Sequence, residues 1–169
     1  MAYSIWIIPT EPVFSKLQQT VNELAVKYHS PTFTPHLTLI SGGIDQELPE
    51  IQKIIQGAVM QVKQLTLSLD SVSFSTTYYQ SVFVRVTSTA QLMQLNLDLK
   101  KLLNLPNDVF MPHISLIYGD YDMATREKVA SGVKLRNLSF IANEVTIIPV
   151  KPKPKQWKPV ATIPFGRNE

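Results

Sequence analysis

The chain has 169 residues, of which 44% are hydrophobic and 17% charged, with a formal net charge of +3. This is enough apolar material for one core, yet no run of consecutive apolar residues is long enough for a membrane-crossing helix. Cysteine is absent, which excludes disulfides, cysteine nucleophiles and thiolate metal sites and suits a reducing cytoplasm.

The start, Met1 to Pro9, has a short apolar run and no basic lead-in, so it reads as a strand over Tyr3–Ile8 rather than a signal peptide. Pro12 stands where a helix can begin, with Thr10 as its cap. Phe14, Leu17, Val21, Leu24 and Tyr28 then recur at helical spacing to about His29, and Ser30-Pro31 breaks the helix. A strand over Phe33–Ile40 ends at Gly42-Gly43. A second helix, entered near Pro49, carries Ile51, Ile54, Ile55, Ala58, Val59 and Val62. Leu65 to Phe74 alternates as a strand, the polar and aromatic Ser75–Tyr79 segment is a hairpin connection, and Ser81–Val86 is the return strand. Leu92, Leu95, Leu99, Leu102 and Leu103 form a third helix, started by Ser88 or Thr89. A strand over Phe110–Ile117 and a short helix over Met123–Ala130 follow. Lys134–Ile141, Val145–Val150 and Trp157–Phe165 read as late strands.

Charge is uneven. Residues 1–84 hold four Lys/Arg against six Asp/Glu, and residues 85–169 hold twelve against seven. The most basic stretch, Lys151-Pro152-Lys153-Pro154-Lys155, can attract phosphorylated ligands or RNA. Its composition favours the plainer reading of a solvated, extended loop.

One phrase occurs twice. Phe33-Thr34-Pro35-His36-Leu37-Thr38-Leu39-Ile40 is echoed by Phe110-Met111-Pro112-His113-Ile114-Ser115-Leu116-Ile117, 77 positions later. Two of the three histidines in the chain lie in these phrases. Residues two apart on a strand share a face, so His36 projects with Thr38 and His113 with Ser115. Two imidazoles and two hydroxyls on equivalent strands suit acid–base chemistry on an anion.

The paired His-x-(Thr/Ser) motifs resemble those of the 2H phosphoesterase superfamily, and within it the plant and yeast cyclic phosphodiesterases. Tyr3-Ser4-Ile5-Trp6, Tyr79-Gln80-Ser81-Val82-Phe83 and Met111 to Gly119 extend the resemblance over most of the chain, least after about residue 125. It implies an α+β, two-lobed fold over residues 1–169, a single bilobal domain with antiparallel sheets lining a central cleft and helices outside. It also implies hydrolysis of a strained cyclic phosphodiester without metal or cofactor. Suitable substrates are ADP-ribose 1″,2″-cyclic phosphate and nucleoside 2′,3′-cyclic phosphates. His36 and His113 would be catalytic, in an order the sequence leaves open. Thr38, Ser115 and Tyr118 would contact phosphate, and Trp6 and Phe83 would line the substrate pocket by stacking on a base or walling the ribose, with ordinary core packing as the competing reading. Tyr118 lies five residues after His113, so strict alternation would turn it away; it can reach the site only if the strand ends near Gly119. The third histidine, His29, reads as a solvated residue at a helix end.

Competing readings are weaker. Asp120 and Asp122 follow the second phrase, but neither phrase has the helical histidine pair of a metalloprotease. Gly42-Gly43 lacks the Lys-Ser/Thr of a phosphate loop. A phosphodiesterase acting on RNA ends and a catalytically silent nucleotide-binding module remain as alternatives. The expectation is a cytoplasmic monomer with a small cyclic-phosphate substrate, no membrane partner, and RNA allowed but not favoured.

Overall fold

The computed structural model describes residues 2–166. In chain order the elements are β1 (Tyr3–Ile7), α1 (Val13–Tyr28), β2 (Leu37–Ile40), α2 (Leu48–Val59), β3 (Leu65–Phe74), β4 (Val82–Val86), α3 (Ala90–Leu102), β5 (His113–Ile117), α4 (Met123–Gly132), β6 (Ser139–Ala142), β7 (Glu144–Pro149) and β8 (Ala161–Pro164). The strands form one eight-stranded sheet in the order β6-β3-β4-β5-β2-β1-β7-β8. Every pairing in it is antiparallel.

The two lobes meet where β2 joins β5 through one registered pair, Leu37 with Ile114. Each lobe thus places its histidine strand at the shared seam. The helices cross over this seam. The helix preceding β2, α1, packs on β5, while α3, which precedes β5, packs on β2. The apolar stripe of α1, Val13, Leu17, Val21 and Ala25, is buried, and truncating fully buried Leu17 to Ala should cost about 2–5 kcal/mol. Apolar residues of alternate strand positions, among them Ile5, Ile7, Leu37, Leu39, Ile114 and Leu116, fill the main core with α2 and α3. The opposite parity is thereby left for polar side chains.

Several expected boundaries move. Strand pairing begins at Leu37 and His113, not at Phe33 and Phe110, because Pro35 and Pro112 have no N–H to give a ladder. Thr89 caps α3, accepting from the Leu92 amide at 3.2 Å. Thr10 does not cap α1. Its hydroxyl donates to the Ile141 carbonyl at 2.9 Å and accepts from the Ile141 amide at 3.2 Å, covering part of the β6 edge. The Lys134–Ile141 expectation shrinks to β6, since residues 133–138 form a loop with Asn137 at φ 64°. The Trp157–Phe165 strand shortens to β8, because Pro159 cannot donate and pairing with β7 starts at Ala161. The Lys-Pro segment is not a plain extended loop: Pro154–Gln156 forms a 3₁₀ turn tied by the Gln156 side chain to the Lys153 amide. His29 is exposed at the end of α1 in the left-handed conformation, as a solvated helix-end residue. No helix among the described residues is long and apolar enough to cross a membrane.

Candidate active site

His36 is the last residue before β2 and His113 the first of β5. In both, Nδ1 lies on the carbonyl of the residue before the proline: Thr34 at 2.7 Å for His36, Met111 at 2.8 Å for His113. A carbonyl only accepts, so Nδ1 must carry the hydrogen. The neutral rings are therefore held with Nε2 as the unprotonated nitrogen, and Nε2 has no hydrogen-bond partner among the described residues. Proline explains the recurrence, because it restricts the backbone of the residue before it as well as its own. From the Leu37–Ile114 pair, one step in either direction sets His36 opposite Ser115 and Thr38 opposite His113. Each imidazole faces the hydroxyl residue of the other motif.

The two rings are supported unequally. Trp6 lies flat on His36, with centroids 3.4 Å apart and planes 7° from parallel. The indole is anchored in turn, its Nε1 donating to Ser4 Oγ at 3.1 Å and Ser4 Oγ donating to the Ile40 carbonyl at 2.8 Å. Phe83 meets His113 edge-on, 5.1 Å between centroids. The 77-position offset that relates the histidines also relates Ser4 to Ser81 and Trp6 to Phe83. In the second copy, however, the Ser81 hydroxyl is buried without a partner among the described residues. Burial lowers the pKa of His36 to about 4, against the opposing effect of its bond to Thr34, and His113 nearby lowers it further. The pKa of His113 is also lowered, first by burial and then by Arg85, its cross-strand neighbour on β4, against the Met111 bond.

A cavity of about 670 Å³ runs past both histidines, and Thr38, Ser115, Tyr118 and Trp6 line it with them. Thr38 makes no side-chain hydrogen bond among the described residues, whereas Ser115 Oγ donates to the Tyr79 carbonyl at 2.8 Å. Tyr118 falls just past the end of β5, so the break in alternation that it needs is present. Burial, followed by Tyr79 and Tyr78, raises its pKa, so the phenol keeps its proton as a donor. Phe83 corrects an expectation: it does not line the cavity, because its ring is 2% exposed and packed beneath His113.

Residues not singled out from sequence complete the wall. Trp157 lies within 6.4 Å, centroid to centroid, of Trp6, His36, Tyr79 and Tyr118. Asn96 and Lys100 of α3 also line the cavity, Asn96 donating to the Leu39 carbonyl and Lys100 paired with Asp108 at 2.9 Å. Arg126, almost fully buried, donates to the Ser75 and Thr77 carbonyls and so holds the hairpin that carries Tyr79. The repeated offset was a readable signal for Ser4. Nothing local in the sequence marks Trp157 or Arg126. Among the described residues no group of three or more His, Cys, Asp or Glu side chains could hold a metal ion.

The family model for cyclic phosphodiesterase-like protein matches residues 1–163. The chain belongs to this family. As a cyclic phosphodiesterase-like 2H phosphoesterase, it is a phosphodiesterase whose family chemistry is hydrolysis of cyclic phosphates. It is 27% identical over 171 residues to the cyclic phosphodiesterase of Arabidopsis thaliana, covering 94% of this chain and 92% of that one. The crystal structure of TT0787 of Thermus thermophilus superposes with a TM-score of 0.71, at 14% identity and full coverage of both chains, 100% each. That of E. coli LigT complexed with 3′-AMP gives 0.63, at 16% identity and 98% coverage of each chain. At such identities these two likenesses concern the fold.

Proposed function

We propose that this phosphodiesterase opens small cyclic phosphodiesters, nucleoside 2′,3′-cyclic phosphates or ADP-ribose 1″,2″-cyclic phosphate, by two-histidine acid–base catalysis without a metal. The observation that carries this is the pair of imidazoles held as the same tautomer, with Nε2 unpartnered among the described residues, on the wall of one cavity. His36 acts as base. Its ring is clamped by Trp6 and Thr34, and burial keeps it neutral down to about pH 4. A water oxygen attacks phosphorus while His36 Nε2 takes the water's proton. The bond from phosphorus to one ribose oxygen breaks, and that oxygen receives the proton of His113, less buried than His36 and charged by the nearby anion. The product is a phosphomonoester. The Thr38 hydroxyl and the Tyr118 phenol donate to the non-bridging oxygens, and Ser115 joins them by turning from Tyr79.

Cavity size supports a small substrate, since about 670 Å³ lies within the range for small-molecule sites. A monomer in the cytoplasm needs nothing further for this reaction, and a cysteine-free chain suits that compartment. The test is turnover of a panel of small cyclic phosphates beside an oligonucleotide ending in a 2′,3′-cyclic phosphate, after exhaustive chelation, with the product phosphate position determined. Turnover of the small substrates with higher kcat/KM is expected. Oligonucleotide preference, abolished by salt and by Lys153→Gln with Lys155→Gln, would shift the reading to RNA ends. Activity lost on chelation and restored by a divalent cation would overturn the mechanism, and nucleotide binding without turnover would indicate a silent module.

A further inference from the structure

Stacking on a planar base needs an aromatic face that the protein has not already covered. Most rings around the histidines have none to offer. Trp6 is 5% exposed, with one face taken by His36. Phe83 lies beneath His113, and Tyr118 is 3% exposed and stacked on Phe33 at 3.9 Å. Two rings differ. Tyr79, at the tip of the β3–β4 connection, is 49% exposed, and Trp157 is half-buried. Both line the catalytic cavity, with centroids 6.0 Å apart.

Trp157 is also held in place. It follows the 3₁₀ turn Pro154–Gln156, and its Nε1 donates to the Lys151 carbonyl at 2.7 Å. This bond spans the Lys-Pro segment and closes it into a strap, so the indole does not have to be ordered when a ligand arrives. The indole plane stands at 87° to the His36 ring and 80° to Trp6. A ring stacked on Trp157 therefore stands upright beside the catalytic imidazole instead of displacing Trp6 from it. Lys151 lines the same cavity and adds a cation near the strap's root.

We propose that Trp157, with Tyr79, forms a subsite for the planar base of the substrate, and that the Lys-Pro strap exists to present it. The inference rests on the cyclic-phosphate reading and specifies its substrate class: a cyclic phosphate bearing a nucleobase. The stack acts on binding, while the histidines act on phosphorus.

The test compares adenosine 2′,3′-cyclic phosphate with glycerol 1,2-cyclic phosphate, which has the strained ring but no base. Trp157→Ala should raise KM for the adenosine substrate at least tenfold more than for the glycerol one, and Trp157→Phe should restore most of the difference. Equal losses on both substrates would mean that the indole only packs the wall, and would overturn the proposal, as would no loss on either. A second readout does not depend on turnover. The chain has two tryptophans, so the spectrum of Trp157→Phe identifies the Trp157 indole N–H resonance. Titration with adenosine monophosphate should shift that resonance, and ribose 5-phosphate should not. A protein that turns over neither cyclic phosphate yet shows this shift would retain the subsite and lose the proposed reaction. One that hydrolyses both but shows no shift would do the reverse.

Discussion

Trp6 and His36 lie face to face, ring centroids 3.4 Å apart and planes 7° from parallel, joining β1 to the first His-x-Thr motif. The contact turns a cross-strand neighbour into a support for the proposed base. The hydrogen bond to Thr34 limits rotation within the ring plane, and the indole limits tilt out of it. Trp6→Leu should lower kcat by about 10- to 100-fold with a smaller change in KM, since misplacing a catalytic group by about an ångström is costly. Trp6→Phe should keep most of the activity because a flat partner remains. Full kcat in Trp6→Leu would show that His36 needs no such support.

The burial of His36, the proposed base, makes a prediction for pH. The profile of kcat/KM reports the free enzyme, so its acid limb should fall below 6.5, towards about 4, where His36 protonates. A limb at or above 6.5 would mean that His36 is not the base. The same shift acts on stability. His36 binds its proton at about 6.5 when unfolded and about 4 when folded, so between those values the unfolded chain holds more protons. Its contribution is complete above pH 6.5 and is lost as pH falls through the window, amounting to about 2–3 kcal/mol near pH 4.5. Denaturant unfolding at pH 7 and pH 4.5 should show this loss in the wild type and a smaller one in His36→Asn.

Removing either imidazole should be severe. His36→Ala and His113→Ala should each lower turnover by about 10²–10⁴-fold, and the double variant should lose less than the product of the two, because both act on one transition state. His29→Ala, at the exposed end of α1, is the control. Comparable damage from it in folded protein would place the site elsewhere.

The hydroxyls should differ although their motif positions match. Ser115 already donates to the Tyr79 carbonyl and must give up that bond to serve phosphate, while Thr38 has no such partner among the described residues. Thr38→Ala should therefore weaken a vanadate mimic, whose oxygens stand in for those of the transition state, by about 10²-fold, and Ser115→Ala by about tenfold. Thr38→Ser should retain most of the affinity. Unchanged inhibition constants in both alanine variants would make these residues structural.

The repeat made much of the site legible. Proline, histidine and hydroxyl recur at one offset, and alternation alone puts each histidine and its hydroxyl on the same face. The same offset applied to Ser4 and Trp6 would have exposed the support beneath His36. It would not have exposed the asymmetry, because Ser81 keeps the hydroxyl while Phe83 lacks the indole N–H that Trp6 gives to Ser4. Strand ends depart from the hydropathy pattern where proline interrupts pairing, at Pro35, Pro112 and Pro159, since that pattern records side chains and pairing depends on backbone donors.

The amino-acid sequence by itself determined which residues are candidates for the chemistry and which face of each strand they share, because period and repetition are properties of the chain. Tertiary structure decided which aromatic rings remain open to a ligand. Trp6 and Phe83 looked equally suited to stacking, but one is spent on His36 and the other lies beneath His113. Trp157 reaches the same cavity from 121 positions beyond His36. Its place depends on a strap closed by one hydrogen bond and on the pairing of β8 with β7, and long-range contacts of that kind leave no local period to read.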